Sequence, residues 1–292
     1  MSVISLLTSG WSFEPQIIFG VLLGCVLYWR GIQWSLRRGY RHSLEWWRVA
    51  LFYLAALSFL IALESPIDYW AGTYFWAHML QHEILIFVTA PLALISAPWM
   101  PLWRGVPLTW RRAILRPIAR NRAVFPAVHR ISRVVGSPVF AWLFFVVDLS
   151  IWHIPAMYDL TEANDAIHYT EHALFLLTAL LFWGQILPSF PFKPRLGYAG
   201  QIIYLFAATL QGNLLDWFLM TATTPIYGYY AALSRTPDMV SAIVDEHIAA
   251  GIMMVTSIFA FVLLLMVTAG LWLIEEERRS EAATAQLLAQ RQ

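Results

Sequence analysis

Seven stretches of the chain are long and mostly apolar, and shorter polar or basic segments separate them. They cover residues 15–34, 47–63, 77–102, 138–154, 168–187, 198–220 and 241–274. About 20 apolar residues in helical form cross the hydrocarbon of a bilayer. The runs are continuous and lack the roughly ten-residue alternation of a barrel strand. Each therefore predicts a helix that satisfies its backbone internally. The fold class is all-α: a seven-transmembrane-helix bundle forming one membrane domain over residues 1–292.

Two segments stand outside these spans. Between residues 104 and 136 there are many arginines and no acid, and Leu115, Ile118, Val124 and Val128 recur at near-helical spacing. That pattern predicts a helix lying on anionic lipid at the inner interface, with a docking surface for a partner as the alternative. Residues 275–292 predict a short charged helix with a frayed end.

Composition agrees with the pattern. The chain is 59% hydrophobic and 13% charged, with a mean hydropathy of +0.60. Soluble domains carry about 25% charged residues, so this surface cannot be coated for water. A net charge of +1 argues against nucleic acid as a partner. Cys25 is the sole cysteine, which excludes an internal disulfide, and its apolar neighbours predict a packed thiol. The first 29 residues hold no Lys or Arg, so no cleavable signal peptide is expected.

Charge sets the orientation. Arg30, Arg37, Arg38, Arg41 and Arg48 lie in the first loop, and the third runs from Arg104 through Arg122 to Arg133. Lys193 and Arg195 follow in the fifth, and Arg278, Arg279 and Arg291 in the tail. Arg235 is the one cation left for the other side, whose loops carry Glu64, Asp68, Asp159, Glu162, Asp165 and Asp238. Cytoplasmic loops hold the excess of Lys and Arg, so the N-terminus is outside and the C-terminus cytoplasmic. Trp11, Trp70, Trp76, Trp152 and Trp217 fit an outer aromatic belt, and Trp34, Trp46, Trp103 and Trp110 an inner one.

Ionisable groups inside a bilayer are costly, so each is a candidate for function. His42 and His129 fall in the basic loops and read as solvated. His78, His82, His153, His168, His172 and His247 all fall near the outer ends of their helices, within about 10 Å of the boundary at 1.5 Å per residue. His78 and His82, like His168 and His172, are four residues apart, which puts both imidazoles of each pair on one helix face. Two such pairs facing each other present nitrogens to a metal such as zinc, copper, iron or nickel. Acids gather at the same depth: Glu83, Glu171, Asp216, Asp245 and Glu246, with Asp148 somewhat deeper. Ligating histidines pass their second N–H to such groups, so these acids are outer partners of the ligands or ligands themselves. A proton path without metal is the competing use. Met79, Met157, Met220, Met239 and Met253 suit soft copper but read as packing. No Walker loop, dinucleotide fingerprint, His-Glu-x-x-His or Gly-x-Ser-x-Gly occurs.

Four runs together resemble the Bacillus-type CtaG family of cytochrome c oxidase assembly proteins. The first is His78-Met79-Leu80-Gln81-His82 with Ala90-Pro91-Leu92 and Ala97-Pro98; the second is Trp152 to Asp159. The third is His168-x-x-x-His172 with Phe175-Leu176 and Leu181-Phe182-Trp183. The fourth starts at Pro225-Ile226-Tyr227 and continues through Asp245 to Gly251-Ile252-Met253. The resemblance implies a seven-helix assembly factor for a haem–copper oxidase in the bacterial cytoplasmic (inner) membrane, concerned with copper at the outer face. It implies His78, His82, His153, His168, His172 and Asp245 as the functional set, and oxidase subunits or other assembly factors, with membrane lipid, as partners. Glu83 stands where the family has an apolar residue, and Glu246-His247 where it has Gln-Gln. Three readings follow: a copper-handling assembly factor without catalysis, an intramembrane zinc hydrolase with Glu83 or Asp148 as base, and a haem protein with two axial histidines.

Overall fold

The apolar stretches fold as helices in the computed structural model, which describes residues 10–40, 45–121, 124–233 and 239–290 and omits the side chains of Ile118 and Leu287. Arg41, His42, Arg122, Arg235, Asp238 and Arg291, used above for orientation or solvation, lie outside the described residues. Among the described residues there is no strand; Ser189 and Phe192 form an isolated bridge.

In chain order the helices are α1 (Pro15–Arg37), α2 (Trp46–Glu64), α3 (Pro66–Ala71), α4 (Phe75–Ile84), α5 (Ala90–Ile95), α6 (Trp99–Gly105) and α7 (Leu108–Arg120). Then come α8 (Val124–Val135), α9 (Pro138–Trp152), α10 (Pro155–Ala163), α11 (Asp165–Trp183), α12 (Tyr198–Met220), α13 (Gly228–Ala232) and α14 (Ala242–Ala289). A π-helical turn, Leu85–Thr89, joins α4 to α5.

Among the described residues, five helical segments are long and apolar enough to cross a membrane: Pro15–Arg37, Trp46–Ala71, Phe75–Ile95, Tyr198–Met220 and Ala242–Gln286. A sixth arises if α8 and α9, bent by 65°, count as one span. The two shortfalls from seven have physical causes. Helix α9 has 15 residues, about 22 Å against a core of about 30 Å. Helix α11 opens with Asp165, His168, Glu171 and His172, which lowers its hydropathy. The tail continues α14 as one helix to Ala289, with Arg279 bonded to Glu275 one turn away. Helices α7 and α8 leave Trp110, Ile114, Phe125 and Ile131 exposed.

Pro91 explains the π turn. It has no N–H to donate, and the Ala90 N–H reaches back to the Leu85 carbonyl. The Ile86 carbonyl is thereby left without a helical partner, and Trp183 Nε1 on α11 donates to it at 2.7 Å. Trp183 belongs to the main core with Phe145, Phe182, Tyr204 and Phe261. Helices α1 and α6 meet backbone to backbone. A Cβ on Gly31 would sit 1.8 Å from the Pro101 carbonyl oxygen, and one on Gly105 1.8 Å from that of Leu27.

The bundle has two chemically distinct ends. At one, Ser12 donates to Asp68 at 2.8 Å and the Glu14 N–H to Glu64 at 3.0 Å. At the other, Arg104 donates to Ser35 at 3.0 Å and Arg48 to the Ile95 carbonyl at 3.1 Å. We call them the histidine end and the arginine end.

Candidate metal centre

Local sequence aims the histidines. Helix α11 starts at Asn164, whose side chain accepts from the Ala166 and Ile167 N–H groups. His168 follows within the first turn and His172 one turn later, on the same face. Helix α4 has no such cap of its own, because Tyr74 precedes it. Asp245, from the start of α14, supplies one: its carboxylate accepts from Phe75 N at 3.1 Å and Trp76 N at 3.0 Å. This fixes the first turn of α4, from which His78 and then His82 project.

Each pair shares one helix face, as its spacing predicted, and in the fold the two pairs lie against each other. Ring centroids lie 4.5 Å apart for His78 and His82, 4.4 Å for His168 and His172, and 5.2 Å for His82 and His172 across the helices. His78, His82, His172 and Glu171 each offer one ligand atom, and these four atoms lie within 4.8 Å of one another. All four residues are buried. Ligand atoms on a tetrahedral zinc or copper ion with bonds near 2.1 Å stand about 3.4 Å apart, so modest closure of the side chains forms such a site.

Buried polar atoms test the fit. His78 Nε2, both nitrogens of His82, His172 Nε2 and both oxygens of Glu171 are buried with no hydrogen-bond partner in the protein. The nearest approaches, His78 Nε2 to Glu171 at 3.5 Å and His82 Nε2 to Glu171 at 3.7 Å, are too long for good hydrogen bonds. Each such group costs about 1–3 kcal/mol if left unpaired, and native interiors leave few. Three imidazoles and a carboxylate concentrated in one place form a donor set that suits a borderline cation.

Glu162 completes the arrangement. Its Oε1 lies 2.7 Å from His78 Nδ1 and accepts from the Tyr230 hydroxyl at 3.2 Å. The same single hydroxyl proton is shared with the Ala71 carbonyl oxygen, 2.6 Å away. A carboxylate on the far nitrogen fixes the imidazole's tautomer and turns its Nε2 to the centre. Burial works against the Glu162 charge, but the His78 hydrogen bond outweighs it and holds the carboxyl below its ordinary range. The sequence reading treats Glu162 only as an outer-loop acid. Its position four residues after Tyr158, next to the Trp152–Asp159 run, is the signal that would have found it.

The other candidates are used differently. His153 caps α9, with Nδ1 2.7 Å from the Leu149 carbonyl oxygen and Nε2 buried and unpartnered. His168 adjoins the four ligands, its ring 4.9 Å from His78, and its Nε2 is also unpartnered. His247 turns away, Nε2 lying 3.0 Å from the Ala222 carbonyl oxygen. Glu246 accepts the N–H groups of Ile226 and Tyr227, and Tyr227 stacks on Phe75 at 4.4 Å. Asp148 accepts from Trp152 Nε1 at 2.8 Å and Thr178 at 2.9 Å. Glu83 is buried, with Thr256 as a hydrogen-bond partner, Oε2 unpartnered and Asp216 nearby. Met79 and Met253 pack with Phe75 and Tyr158.

Two hollows reach His172. One, of about 250 Å³, is lined by acids and His168 at the histidine end. The other, of about 410 Å³, is apolar and runs along Phe59, Leu176 and Leu180.

A family model described as cytochrome c oxidase caa3 assembly factor (Caa3_CtaG) matches residues 26–275. No characterised relative and no solved structure matches the chain. The match spans most of the chain, all four resembling runs and every ligand candidate, and the chain belongs to the caa3 assembly factor family.

Proposed function

We propose that, as a member of this family, the chain is a copper-binding assembly factor for a haem–copper oxidase. It crosses the bacterial cytoplasmic membrane seven times, N-terminus outside, with the arginine end in the cytoplasm and the histidine end at the outer face. His78, His82, His172 and Glu171 hold the ion, and Glu162 and Asp245 position the ligands. The observation that carries this reading is the cluster of unpartnered buried nitrogens and carboxylate oxygens on facing helices. Copper is the cargo here, and its acceptor is an oxidase subunit or a second assembly factor docked laterally.

Three imidazoles and one carboxylate also suit zinc, and one observation favours a zinc hydrolase as the second reading. The apolar hollow at His172 would take a lipid-like substrate. Against it, Asp148, one of the two general bases it would use, has both oxygens engaged by Trp152 and Thr178. A haem between two of these histidines is disfavoured by space, because their rings lie 4.4–5.5 Å apart.

Metal analysis of the purified full chain tests the reading. Bound copper that is lost in His82→Ala and His172→Ala supports it, together with oxidase lacking copper in cells without the chain. Full oxidase maturation in those cells overturns it. Zinc in place of copper, with hydrolysis of a lipid ester or amide, moves the conclusion to the second reading.

A further inference from the structure

The hollow of about 250 Å³ at the histidine end is lined by four carboxylates, Glu14, Asp68, Glu162 and Asp165, together with His168 and His172. The acids come from the start of α1, from α3, from α10 and from the first residue of α11, so four separate elements converge on one opening. Among the described residues, no Lys or Arg lines it. His172 at its floor is 4% exposed, and its Nε2 has no partner. His168 stands between the rim and the four ligands, half-buried, with its ring 4.4 Å from His172 and 4.9 Å from His78.

We propose that this hollow is the route by which a metal cation reaches and leaves the buried centre, with the carboxylates drawing it in and His168 as the first ligand it meets. This rests on the metal-binding reading above. Two of the acids also have structural work: Asp68 accepts from Ser12 and Gln81, and Glu162 pairs with His78. Glu14 and Asp165 are at the mouth, where Gln16 donates to Glu14 at 2.8 Å. A cleft of one sign with low-dielectric walls focuses the field and raises the local concentration of counter-ions, speeding association by about 10–10³-fold. The route needs no chemistry beyond ligand exchange, and the ion's charge is unchanged along it.

Uptake of copper(II) ion by the metal-free full chain in detergent tests the route, followed by quenching of tryptophan fluorescence and by metal content after rapid desalting. The double variant Glu14→Gln/Asp165→Asn alters only the mouth. It is expected to load about fivefold more slowly at about 10 mM ionic strength, where the screening length is near 30 Å, and at the wild-type rate at about 1 M, where it is near 3 Å. Its final copper content should equal that of the wild type. His168→Ala should lose rate at both ionic strengths, a loss that salt does not restore. Wild-type rates in both variants at low salt overturn the route while leaving the metal centre standing. A wild-type chain that takes up no copper overturns the metal centre and the route with it.

Discussion

Glu171 and Asp245 are both fully buried carboxylates at the histidine end, on helices that meet in the same core, yet they are handled in opposite ways. Asp245 receives two backbone N–H groups from the first turn of α4. Both oxygens of Glu171 receive none, and the Nε2 atoms of His78, His82 and His172 around it are likewise unpartnered. The arginine end behaves like Asp245. Arg104 bonds to Ser35 and lies over the rings of Trp34 and Tyr40, and Arg48 bonds to Glu45 and to the Ile95 carbonyl. Other buried polar atoms also lack partners, Arg111 Nε, Trp142 Nε1 and Gln185 Oε1 among them, but they are scattered, whereas six such atoms gather on His78, His82, Glu171 and His172. Burial alone does not separate structural from functional polar residues here; the concentration of unmatched groups in one place does.

The comparison breaks first at the ligands. His172→Ala should lower copper affinity by at least about 100-fold, more than the loss of a ligand's outer partner usually costs, in a competition titration with a chelator. In the volume-matched His172→Leu, which avoids a large cavity, the thermal midpoint of the metal-free chain should barely move, since no hydrogen bond from His172 Nε2 is lost. Affinity unchanged within about twofold would remove His172 from the site.

Asp245→Ala should do the reverse. It strips the cap from α4 and strands two N–H groups, which costs about 2–4 kcal/mol of stability. Thermal unfolding in detergent measures it, and metal affinity falls only as far as α4 loosens. A stable variant with no affinity for copper would instead make Asp245 a ligand, as the family resemblance allows.

How much of this was readable beforehand follows the same divide. The helices were legible because lipid demands long apolar runs, and the i, i+4 histidine pairs because helical geometry fixes which side chains share a face. The counter-example is α11, where the site's own polar residues erode the apolar signal of the helix that carries them. His247 lay at the right depth and was grouped with the ligands, but depth does not give azimuth: its ring points to the Ala222 carbonyl. Glu162 was missed because its partner, His78, is 84 residues away and only tertiary structure joins them. The role of Glu246 depends likewise on the distant N–H groups of Ile226 and Tyr227, and that of Asp148 on Thr178, although its bond to Trp152 lies one turn along the same helix.

A smaller effect sharpens the contrast. His82 has two buried nitrogens without partners, so in the metal-free chain it destabilises. Replacing a buried polar group with an apolar one of similar volume is often neutral or stabilising. His82→Leu should therefore raise the stability of the metal-free chain by about 1 kcal/mol while abolishing the copper-dependent rise in thermal midpoint. A drop in stability without metal would mean that His82 is satisfied in solution, and the argument from unmatched groups would lose its strongest member.

The smallest effect belongs to His247, and it is the most discriminating because it holds residue type and depth constant. His247 and His82 are both histidines near the histidine end of a spanning helix. His247 has one ring nitrogen 3.0 Å from the Ala222 carbonyl oxygen and is only half-buried. Removing it deletes a single neutral hydrogen bond at a place water can reach, so His247→Ala should cost about 1 kcal/mol or less. Copper content and affinity should match the wild type. If His247→Ala instead loses copper as His172→Ala does, then satisfaction of hydrogen bonds in the metal-free fold does not mark the ligands. The ligand set would have to be redrawn around all the histidines of the histidine end.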